Sequence, residues 1–369
     1  MTLRLEDIRW DGLFPAAAVA RSTAQHAALH LGRNILVTGA GGSIGSALCK
    51  AVHGLQPRTL VLLDSSEQNL YYIHRDLAAL AAPTTIVPLL GSVADDRCMR
   101  DLFKRFRPHI VHHAAALKHV PLGEMNPFAV IESNVVGTTT VASVALEFGV
   151  ERLIMISTDK SVNPLSIMGA SKRLAEMVLQ GLAGLKARMT SIRLGNVLGS
   201  EGGVVPLFLD QIVRGGPLTV TDPEAERYFL TLAATVDRIL SAVASCPSEA
   251  LIAVPVMGAP VKIADLARYL IRQAGAPNVQ ITFTGLRPGD KLQEEFVAAN
   301  EVILRETADG LQWVQSPSPS PSDLAAGLVE LDAALKQRNL ASLLATLTRL
   351  VPEYQPSAYL REQLEAPAT

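Results

Sequence analysis

Residues 34–45 read Asn34-Ile35-Leu36-Val37-Thr38-Gly39-Ala40-Gly41-Gly42-Ser43-Ile44-Gly45, a short apolar run followed at once by a glycine-rich turn. The apolar run predicts a buried strand, and the apolar spacing after the turn predicts a helix. Glycines let such a turn approach a pyrophosphate, which then sits at the helix N-terminus, where N–H groups lack partners. The residues predicted to bind a dinucleotide here are Gly39, Gly41, Gly42, Ser43, Ile44 and Gly45.

The next predicted strand ends in Asp64, at about the 20-residue spacing that the dinucleotide-binding fingerprint requires. A carboxylate there accepts hydrogen bonds from the adenosine ribose hydroxyls and repels a 2′-phosphate, which favours NAD over NADP as the cofactor. Two alternatives stay open. The glycines can form an ordinary loop with Asp64 as a helix cap, or the site can bind nucleotide without chemistry, since a fold does not imply a function.

Short apolar runs alternate with segments of helical period from Asn34 to about Arg193, which is the pattern of βαβ units around a parallel sheet. The segments Ser43 to His53 and Ser171 to Leu182 are predicted as covering helices. We therefore expect an α/β fold, a Rossmann-type doubly wound parallel sheet with a smaller interleaved substrate domain. The predicted strands are 34–38, 59–63, 85–89, 110–113, 153–157, 190–193 and 251–254.

The same pattern predicts the domain boundaries. An N-terminal arm, 1–33, precedes an NAD-binding domain built from 34–195 and about 227–255, and the substrate domain takes 196–226 and about 256–315. Alternating Ser and Pro favour an extended, solvated linker over 316–322. The C-terminal segment, 323–369, is predicted to be helical, with a helical hairpin over 324–350.

Composition limits the classes of function. The 369 residues are enough to bury a continuous core, and 33 Lys and Arg against 35 Asp and Glu give no basic excess for nucleic acid. Cys49, Cys98 and Cys246 are odd in number and in no metal spacing, so we expect a reducing compartment and no metal. Early charges break a signal-peptide pattern, and no apolar run approaches the roughly 20 residues that span a bilayer. We expect a cytoplasmic protein without nucleic-acid or membrane partners.

A hydroxyl, an acid and an amine follow the predicted strand 153–157, as Thr158-Asp159-Lys160. Open α/β sheets bind ligands at the carboxyl ends of their strands, so these groups are expected to meet a substrate beside the nicotinamide. Further along, Lys172 lies on a predicted helix from which an amine could reach the nicotinamide ribose. The alternative is a strand-end turn with a helix cap and a solvated lysine.

From Asn34 to about Glu295 the chain resembles the extended short-chain dehydrogenases/reductases. Within them it resembles the polysaccharide-biosynthesis dehydratases that convert UDP-N-acetylglucosamine to its 4-keto-6-deoxy derivative. Many members carry an N-terminal membrane region that this sequence does not show, so we expect a soluble form. The stretches that carry the resemblance are 38–45, 114–122, 157–160, 195–200 and 287–292. The resemblance adds cofactor contacts from Val93, Ala114 and Ala115, and from Ser92, where many relatives have an Asp that touches the adenine.

The resemblance also implies a reaction in three steps, with NAD regenerated each turnover. NAD takes a hydride from sugar C4. The resulting ketone acidifies the C5 proton, so that an amine with a lowered pKa can remove it while a carboxylic acid protonates the departing C6 hydroxyl. The hydride then returns to C6. Lys160 is the candidate base and Asp159 the candidate acid.

Met168 occupies the position, four residues before Lys172, where most short-chain dehydrogenases carry a Tyr that serves as base. A thioether neither accepts nor donates that proton, so the usual Tyr and Lys pair is broken. In the resembled family a Met here is typical of the branch that retains configuration at C5, and we expect retention. The base for the C4 hydroxyl stays open between Asp159, Lys160 and a water held by Thr158. Buried packing is a second role for Met168.

A UDP-sugar substrate brings a diphosphate, whose oxygens a planar guanidinium grips bidentately. Asn196 is expected to bond the diphosphate or the sugar, and Val205 and Pro206 to wall the uracil pocket. Asp290 stands where the family motif usually has Glu. The predicted substrate contacts are Lys118, His119, Asn196, Val205, Pro206, Arg227, Arg287 and Asp290, and a surface or structural role is the alternative for each.

Two rival functions differ in what they require of the sequence. A UDP-sugar 4-epimerase also oxidises C4, but it generally relies on the Tyr that is replaced here by Met168. A non-catalytic NAD-binding scaffold or sensor leaves Asp159 and Lys160 without a task. The dehydratase hypothesis uses both residues. The sequence leaves the oligomeric state open, and the resemblance implies pairing between copies as a homo-oligomer.

Overall fold

The computed structural model describes residues 5–10, 13, 23–80, 82–182 and 186–365, so parts of the predicted arm and of the C-terminal segment lie outside the described residues. The strands in chain order are β1 (Asn34–Thr38), β2 (Thr59–Asp64), β3 (Thr85–Leu90), β4 (Ile110–His113), β5 (Arg152–Thr158), β6 (Arg188–Leu194), β7 (Asn196–Val197), β8 (Leu218–Val220), β9 (Glu226–Arg227), β10 (Phe229–Leu230), β11 (Ile252–Pro255), β12 (Val261–Lys262), β13 (Ile281–Phe283), β14 (Val302–Glu306) and β15 (Leu311–Gln315).

Helices cover the strands and extend beyond them at the C-terminal side. They are α1 (Thr23–His30), α2 (Ser43–Gly54), α3 (Glu67–Ala78), α4 (Asp96–Phe106), α5 (Val120–Met125), α6 (Pro127–Ile131), α7 (Gly137–Glu147), α8 (Ile167–Leu182), α9 (Val204–Val213), α10 (Leu232–Ala244), α11 (Ile263–Gln273), α12 (Pro321–Gln337), α13 (Leu340–Leu350) and α14 (Ala358–Glu365). A π-helical turn, Glu132–Val136, joins α6 to α7. A 3-10 turn, Asp159–Ser161, follows β5.

A nine-stranded sheet in the order β14-β15-β11-β6-β5-β4-β1-β2-β3 forms the centre of the described chain. The seven neighbouring strands β11, β6, β5, β4, β1, β2 and β3 run parallel to one another, and β15 is antiparallel to both of its neighbours, β11 and β14. The strand order reverses between β1 and β4, and a reversal of this kind opens the crevice where doubly wound sheets bind their ligands. Every residue of β1 is buried, as parallel strands covered on both faces require. The predicted α/β fold, a doubly wound parallel sheet, is confirmed.

The predicted strands 34–38 and 110–113 match β1 and β4, and the other predicted strands differ from the observed ones by one or two residues at one or both ends. The hairpin of β14 and β15 was not predicted. Its residues, 302–315, were assigned to the substrate domain, yet β15 pairs with β11 and extends the central sheet. That part of the assignment is therefore wrong, since an edge hairpin belongs to the sheet that supplies its hydrogen bonds.

The predicted linker over 316–322 is shorter than expected. Ser316 is buried, and α12 begins at Pro321, where the hydroxyl of Ser320 accepts a hydrogen bond from the backbone N–H of Asp323. Ser followed by Pro is a common helix start, because Ser caps and Pro suits the first turn. The predicted helical hairpin over 324–350 is confirmed as α12 and α13, whose leucines pack on α8 in one apolar cluster.

The helix that runs from Pro127 to Glu147 passes through α6, the π-helical turn and α7. Its 21 residues have a mean hydropathy of 1.3 in the most apolar window, which by length and composition would suffice to cross a membrane. The expectation that no apolar run approaches such a span is therefore wrong. However, 61% of that window is buried inside the protein, as in a core helix.

A buried ion network lies beneath the carboxyl end of β5. Arg193 of β6 donates to Glu176 of α8 at 2.9 and 3.0 Å and to Glu301 at 2.6 and 2.7 Å. Glu176 also accepts from the hydroxyls of Ser157 at 2.6 Å and Ser161 at 2.9 Å. Burial alone would raise the pKa of Glu176, but Arg193 holds that pKa below its ordinary value. The network therefore joins β5, β6 and α8 as charged, fully paired groups.

Replacing Arg193 by Leu should lower the free energy of unfolding by about 3–5 kcal/mol, because it removes the cation that two buried carboxylates share and leaves Glu176 with only Arg173 at 3.4 Å. Urea denaturation measures this change. The control is Arg214→Leu, which removes an exposed partner of Asp210 and should cost about 0–1 kcal/mol. Equal losses for the two variants would show that the buried network does not stabilise the fold.

Candidate active site

The glycine-rich turn after β1 is held by contacts that leave no room for side chains. Gly39 has a φ of +63°, and a Cβ there would lie 2.7 Å from the backbone of Ala115. A Cβ on Gly45 would lie 1.9 Å from the carbonyl oxygen of Gly39. Within the described residues no side chain caps the N-terminus of α2 at Gly42. Its N–H groups therefore form an open anion site that fits a dinucleotide pyrophosphate.

Asp64 stabilises the glycine-rich turn through a hydrogen bond to its backbone. Its carboxylate accepts from the backbone N–H of Gly41 at 2.8 Å and from that of Ser66 at 2.9 Å, and the side chain is buried. Both oxygens thus already have partners in the protein, although each carboxylate oxygen can accept a further bond. Asp64 is positioned at the end of β2 as predicted, and it shapes the glycine turn in addition to any contact with a ribose.

A cleft of about 740 Å³ opens at the carboxyl ends of the parallel strands. It brings together most of the residues predicted from the sequence. Those that line it are Gly39, Gly42, Ser43, Ile44, Gly45, Ala114, Lys118, His119, Thr158, Lys160, Met168, Lys172, Asn196, Val205, Arg227, Arg287 and Asp290. The structure places outside its lining the residues Gly41, Asp64, Ser92, Val93, Ala115, Asp159 and Pro206.

The turn after β5 holds a compact group of polar side chains. The hydroxyl of Thr158 donates to Oδ1 of Asp159 at 2.8 Å, and Nζ of Lys160 lies 3.0 Å from the same oxygen. Nζ also donates to Oδ1 of Asn196 at 3.3 Å. The side chain of Asp159 is fully buried, whereas 22% of the Lys160 side chain is exposed and it lines the cleft. Lys160 and Thr158 therefore present this group to a ligand, with Asp159 behind them.

A second carboxylate adjoins Lys160. Oε1 of Glu294 lies 3.4 Å from Nζ of Lys160, and the Glu294 side chain is 1% exposed. Burial alone would lower the pKa of Lys160, but the charges of Asp159 and Glu294 outweigh it and raise that pKa above its ordinary value. The expectation that Lys160 has a lowered pKa is wrong, because Asp159 and Glu294 together favour the protonated amine more than burial disfavours it. Lys160 is a cation at neutral pH.

Lys172 and Met168 lie on the buried face of α8 that meets the cleft. Burial lowers the pKa of Lys172 to about 8, despite the attraction of Glu176. Met168 is 3% exposed and belongs to the apolar cluster shared with the C-terminal helices, while also lining the cleft. The packing role and the site position considered for Met168 are both present.

The loop at 199–203 contacts both the glycine-rich turn after β1 and the residues that follow β4. The backbone N–H of Glu201 donates to the hydroxyl of Ser43 at 3.0 Å, and Nζ of Lys118 donates to the carbonyl of Glu201 at 2.8 Å. A Cβ on Gly202 would lie 2.3 Å from the His119 ring. Lys118 and His119 therefore hold this loop over the cleft, and burial lowers the pKa of each.

The two arginines predicted to grip a diphosphate differ in their environment. Arg227 is buried, and its guanidinium donates to the backbone carbonyls of Glu226, Lys291 and Leu292. Arg287 is 56% exposed and pairs with Asp290 at 2.8 Å. Arg287 is thus the more available of the two for a ligand at the cleft, while the donors of Arg227 are largely used within the protein.

Three polar residues around the site, Glu294, Lys291 and Asn134, were not predicted as site residues. Glu294 and Lys291 belong to the charged stretch that follows Arg287. Their charges are visible in the sequence, but the sequence does not indicate which side chains they pair with. Asn134 lies in the π-helical turn, and its amide bonds both backbone groups of Leu117 and the hydroxyl of Ser171. A π-helical turn often marks a functional site, but it leaves no pattern in the sequence.

A family described as polysaccharide biosynthesis protein matches residues 35–315. The chain is 45% identical over 275 residues to the capsular polysaccharide biosynthesis protein CapD of Staphylococcus aureus, a match that covers 73% of this chain and 46% of CapD. The chain therefore spans about half the length of this relative. It is 31% identical over 282 residues to a UDP-N-acetylglucosamine 4,6-dehydratase (inverting) of Campylobacter jejuni, covering 73% of this chain and 79% of that protein.

Among solved structures, the UDP-glucose 4-epimerase of Thermus thermophilus in complex with NAD is similar in fold. The TM-score is 0.59 at 22% identity, and the match covers 70% of this chain and 88% of that one. This likeness supports the Rossmann-type fold of the described chain.

Replacing Gly45 by Ala should weaken the binding of NAD at least about tenfold, since an added Cβ must push the glycine turn away from the helix N-terminus, a cost above about 1.4 kcal/mol. Titration calorimetry with NAD measures the affinity. The matched control is Gly54→Ala at the other end of α2, where an added Cβ meets nothing within 4 Å. Unchanged affinity in the Gly45 variant would contradict the assignment of the turn.

Proposed function

The chain belongs to the polysaccharide biosynthesis protein family, and from this premise we propose that it is an NAD-dependent sugar-nucleotide 4,6-dehydratase acting on UDP-N-acetylglucosamine. The observation that carries the proposal is the Thr158-Asp159-Lys160 turn, whose hydroxyl and ammonium face the same cleft as the glycine-rich turn. A cleft that holds a dinucleotide beside an acid and an amine fits oxidation followed by loss of water.

One comparison supports the substrate class and another supports the cofactor. The Campylobacter jejuni relative that the chain matches over most of both lengths is a UDP-N-acetylglucosamine 4,6-dehydratase. The structural neighbour with NAD indicates the cofactor that this fold accommodates. Because this chain spans about half of CapD, the activity of that whole protein is a separate matter.

NAD, when bound, supplies the chemistry of hydride transfer from C4 and back to C6. The residues of this chain manage the protons. We propose that the C4 hydroxyl bonds to Thr158, whose own proton already points at Asp159, so that the C4 proton passes through the Thr158 hydroxyl to the Asp159 carboxylate. In this route Asp159 is the base for the C4 hydroxyl in place of the missing Tyr. The proton reaches Asp159 through Thr158, so Asp159 does not have to line the cleft.

Lys160 then exchanges protons with the sugar. It begins as an ammonium, so the two transfers belong to one concerted step: Lys160 gives a proton to the C6 hydroxyl and takes the C5 proton on the lone pair so freed. The C5–H electrons form the C5–C6 double bond as water leaves. Lys160 therefore keeps the role of base at C5, while the role of acid at C6 passes to it from Asp159, whose side chain is fully buried. When hydride returns to C6, Lys160 gives a proton to C5 and is reprotonated from solvent, while Asp159 gives its proton to solvent. The site ends with the protons it began with.

The remaining residues hold the ligands. Lys172, with a pKa lowered to about 8, is placed to bond the nicotinamide ribose. Arg287 offers an exposed guanidinium to the diphosphate, and Asn196 a side-chain amide beside Lys160. Met168 offers no proton at the position of the usual Tyr, so we propose retention of configuration at C5, as in the Met-bearing branch of the family.

A 4-epimerase is the second candidate, because a UDP-glucose 4-epimerase shares this fold. It requires a hydride returned to C4, with no proton exchanged at C5. Lys160 and Asp159 then have no acid–base task beyond the C4 hydroxyl. The two functions are thus separated by the fate of the C5 hydrogen.

Incubation of the NAD-loaded chain with UDP-N-acetylglucosamine in heavy water should give a C6 methyl group and deuterium at C5, as seen by proton NMR. Solvent deuterium enters because the C5 proton is lost to Lys160 and replaced. A galacto-configured product with hydrogen at C5 would establish epimerisation instead. Unchanged substrate at saturating NAD would contradict the proposed substrate.

Replacing Lys160 by Ala should lower turnover by about 10²–10⁴-fold, the usual contribution of a general acid or base, while NAD affinity stays as in the unmodified chain. The same NMR assay gives turnover, and calorimetry gives affinity. Lys104→Ala, an exposed lysine on α4, is the control. Turnover like that of the control would remove Lys160 from the mechanism.

A further inference from the structure

Glu294 is a buried carboxylate placed among three cations. Its Oε1 lies 3.4 Å from Nζ of Lys160 and 3.6 Å from Nε of Arg227, and its Oε2 lies 3.6 Å from Nζ of Lys291. Oε2 has no hydrogen-bond partner among the described residues. Asp159 supplies the other negative charge in this group, through Lys160.

Glu294 offsets part of the positive charge of this largely buried group of side chains. Three cations face two carboxylates, and loss of either carboxylate would leave Lys160, Lys291 and Arg227 opposite a single negative charge. Repulsion between like charges is strong where burial removes solvent screening. Glu294, together with Asp159, therefore lets the Lys160 ammonium remain at the cleft wall next to two other cations.

We propose that Glu294 is a positioning residue for the reaction, which anchors the Lys160 ammonium between Asp159 and Asn196 and thereby sets the proton occupancy of this amine. The inference rests on the proposed function, since Lys160 must begin as an ammonium to protonate the departing C6 hydroxyl. Glu294 itself lies outside the lining of the cleft. It acts through Lys160 and touches neither sugar nor cofactor.

The charged groups that face Lys160 come from three parts of the fold. Asp159 lies on the turn after β5, Arg227 on β9, and Glu294 with Lys291 on the stretch after Arg287. The two carboxylates favour the protonated amine, while Arg227 disfavours it. The pKa of Lys160 is raised as a result, and removing the charge of Glu294 leaves Asp159 to oppose both burial and Arg227.

The direct test is the titration of Lys160 in Glu294→Gln, which keeps the shape of the side chain and removes its charge. Lysines are methylated reductively with isotope-labelled formaldehyde, and the Lys160 resonance, assigned by its absence in Lys160→Arg, is followed by NMR against pH. We expect its midpoint to fall by about one pH unit, a tenfold loss of proton affinity. An unchanged midpoint would overturn the proposal.

The matched control is Glu295→Gln. Glu295 is the neighbouring glutamate, and it accepts from the side chain of Asn163 without an ion pair to Lys160. Its titration should match the unmodified chain. Glu294→Asp keeps the charge one methylene further away and should give an intermediate midpoint, which keeps the test decisive if the Gln variant does not fold. A midpoint in Glu295→Gln that falls as far as in Glu294→Gln would also overturn the proposal.

Activity gives a second readout. Dehydration of UDP-N-acetylglucosamine should decline at high pH as Lys160 loses its proton, and this decline should begin at lower pH in Glu294→Gln by the same shift. A loss of turnover at all pH values without movement of the decline would indicate a structural role and contradict the inference. If no variant dehydrates this sugar, the proposed function fails, while the NMR midpoint still decides the role of Glu294.

Discussion

The buried guanidinium of Arg193 is the constraint on which the site depends. Burying one cation with two carboxylates is costly unless every group is paired, because each charge gives up its hydration. Here Glu176 accepts from Arg193 and from two serines, Ser157 and Ser161, that flank the reactive turn. The charged pair therefore fixes the turn from both sides. An error in its geometry would displace Asp159 and Lys160 together.

Sequence patterns recovered the elements whose local signals are strong. The glycine turn and the buried strands of the parallel sheet are written in neighbouring residues, so β1 and β4 were predicted to the residue. The edge hairpin was missed because every residue of β14 is exposed. Its run Val302-Ile303-Leu304 lacks the alternation of a half-buried strand, and nothing local indicates which sheet it joins.

The chemistry of the site was predictable in its residue types and less so in its charge states. Thr158, Asp159 and Lys160 are adjacent in sequence, and their position after a strand indicates where they point. Burial lowers the pKa of Lys160, but Asp159 and then Glu294 raise it, and Glu294 reaches the amine from a distant part of the chain. A single sequence contains no measure of that distance. The lowered pKa of Lys160 that the family resemblance implied was wrong for this reason.

The C-terminal segment also supports the site, although it lies beyond the family match, which ends at residue 315. Leucines of α12 and α13 cover α8, the helix that carries Met168 and Lys172. In addition, the hydroxyl of Ser357 donates to the buried carboxylate of Glu124, which also accepts from the N–H of Ile167 at the start of α8. This segment therefore completes the burial of the helix that carries Met168 and Lys172. Packing outside the family match thus holds in place the helix that presents Met168 and Lys172 to the cleft, because a close-packed apolar contact resists displacement of either partner.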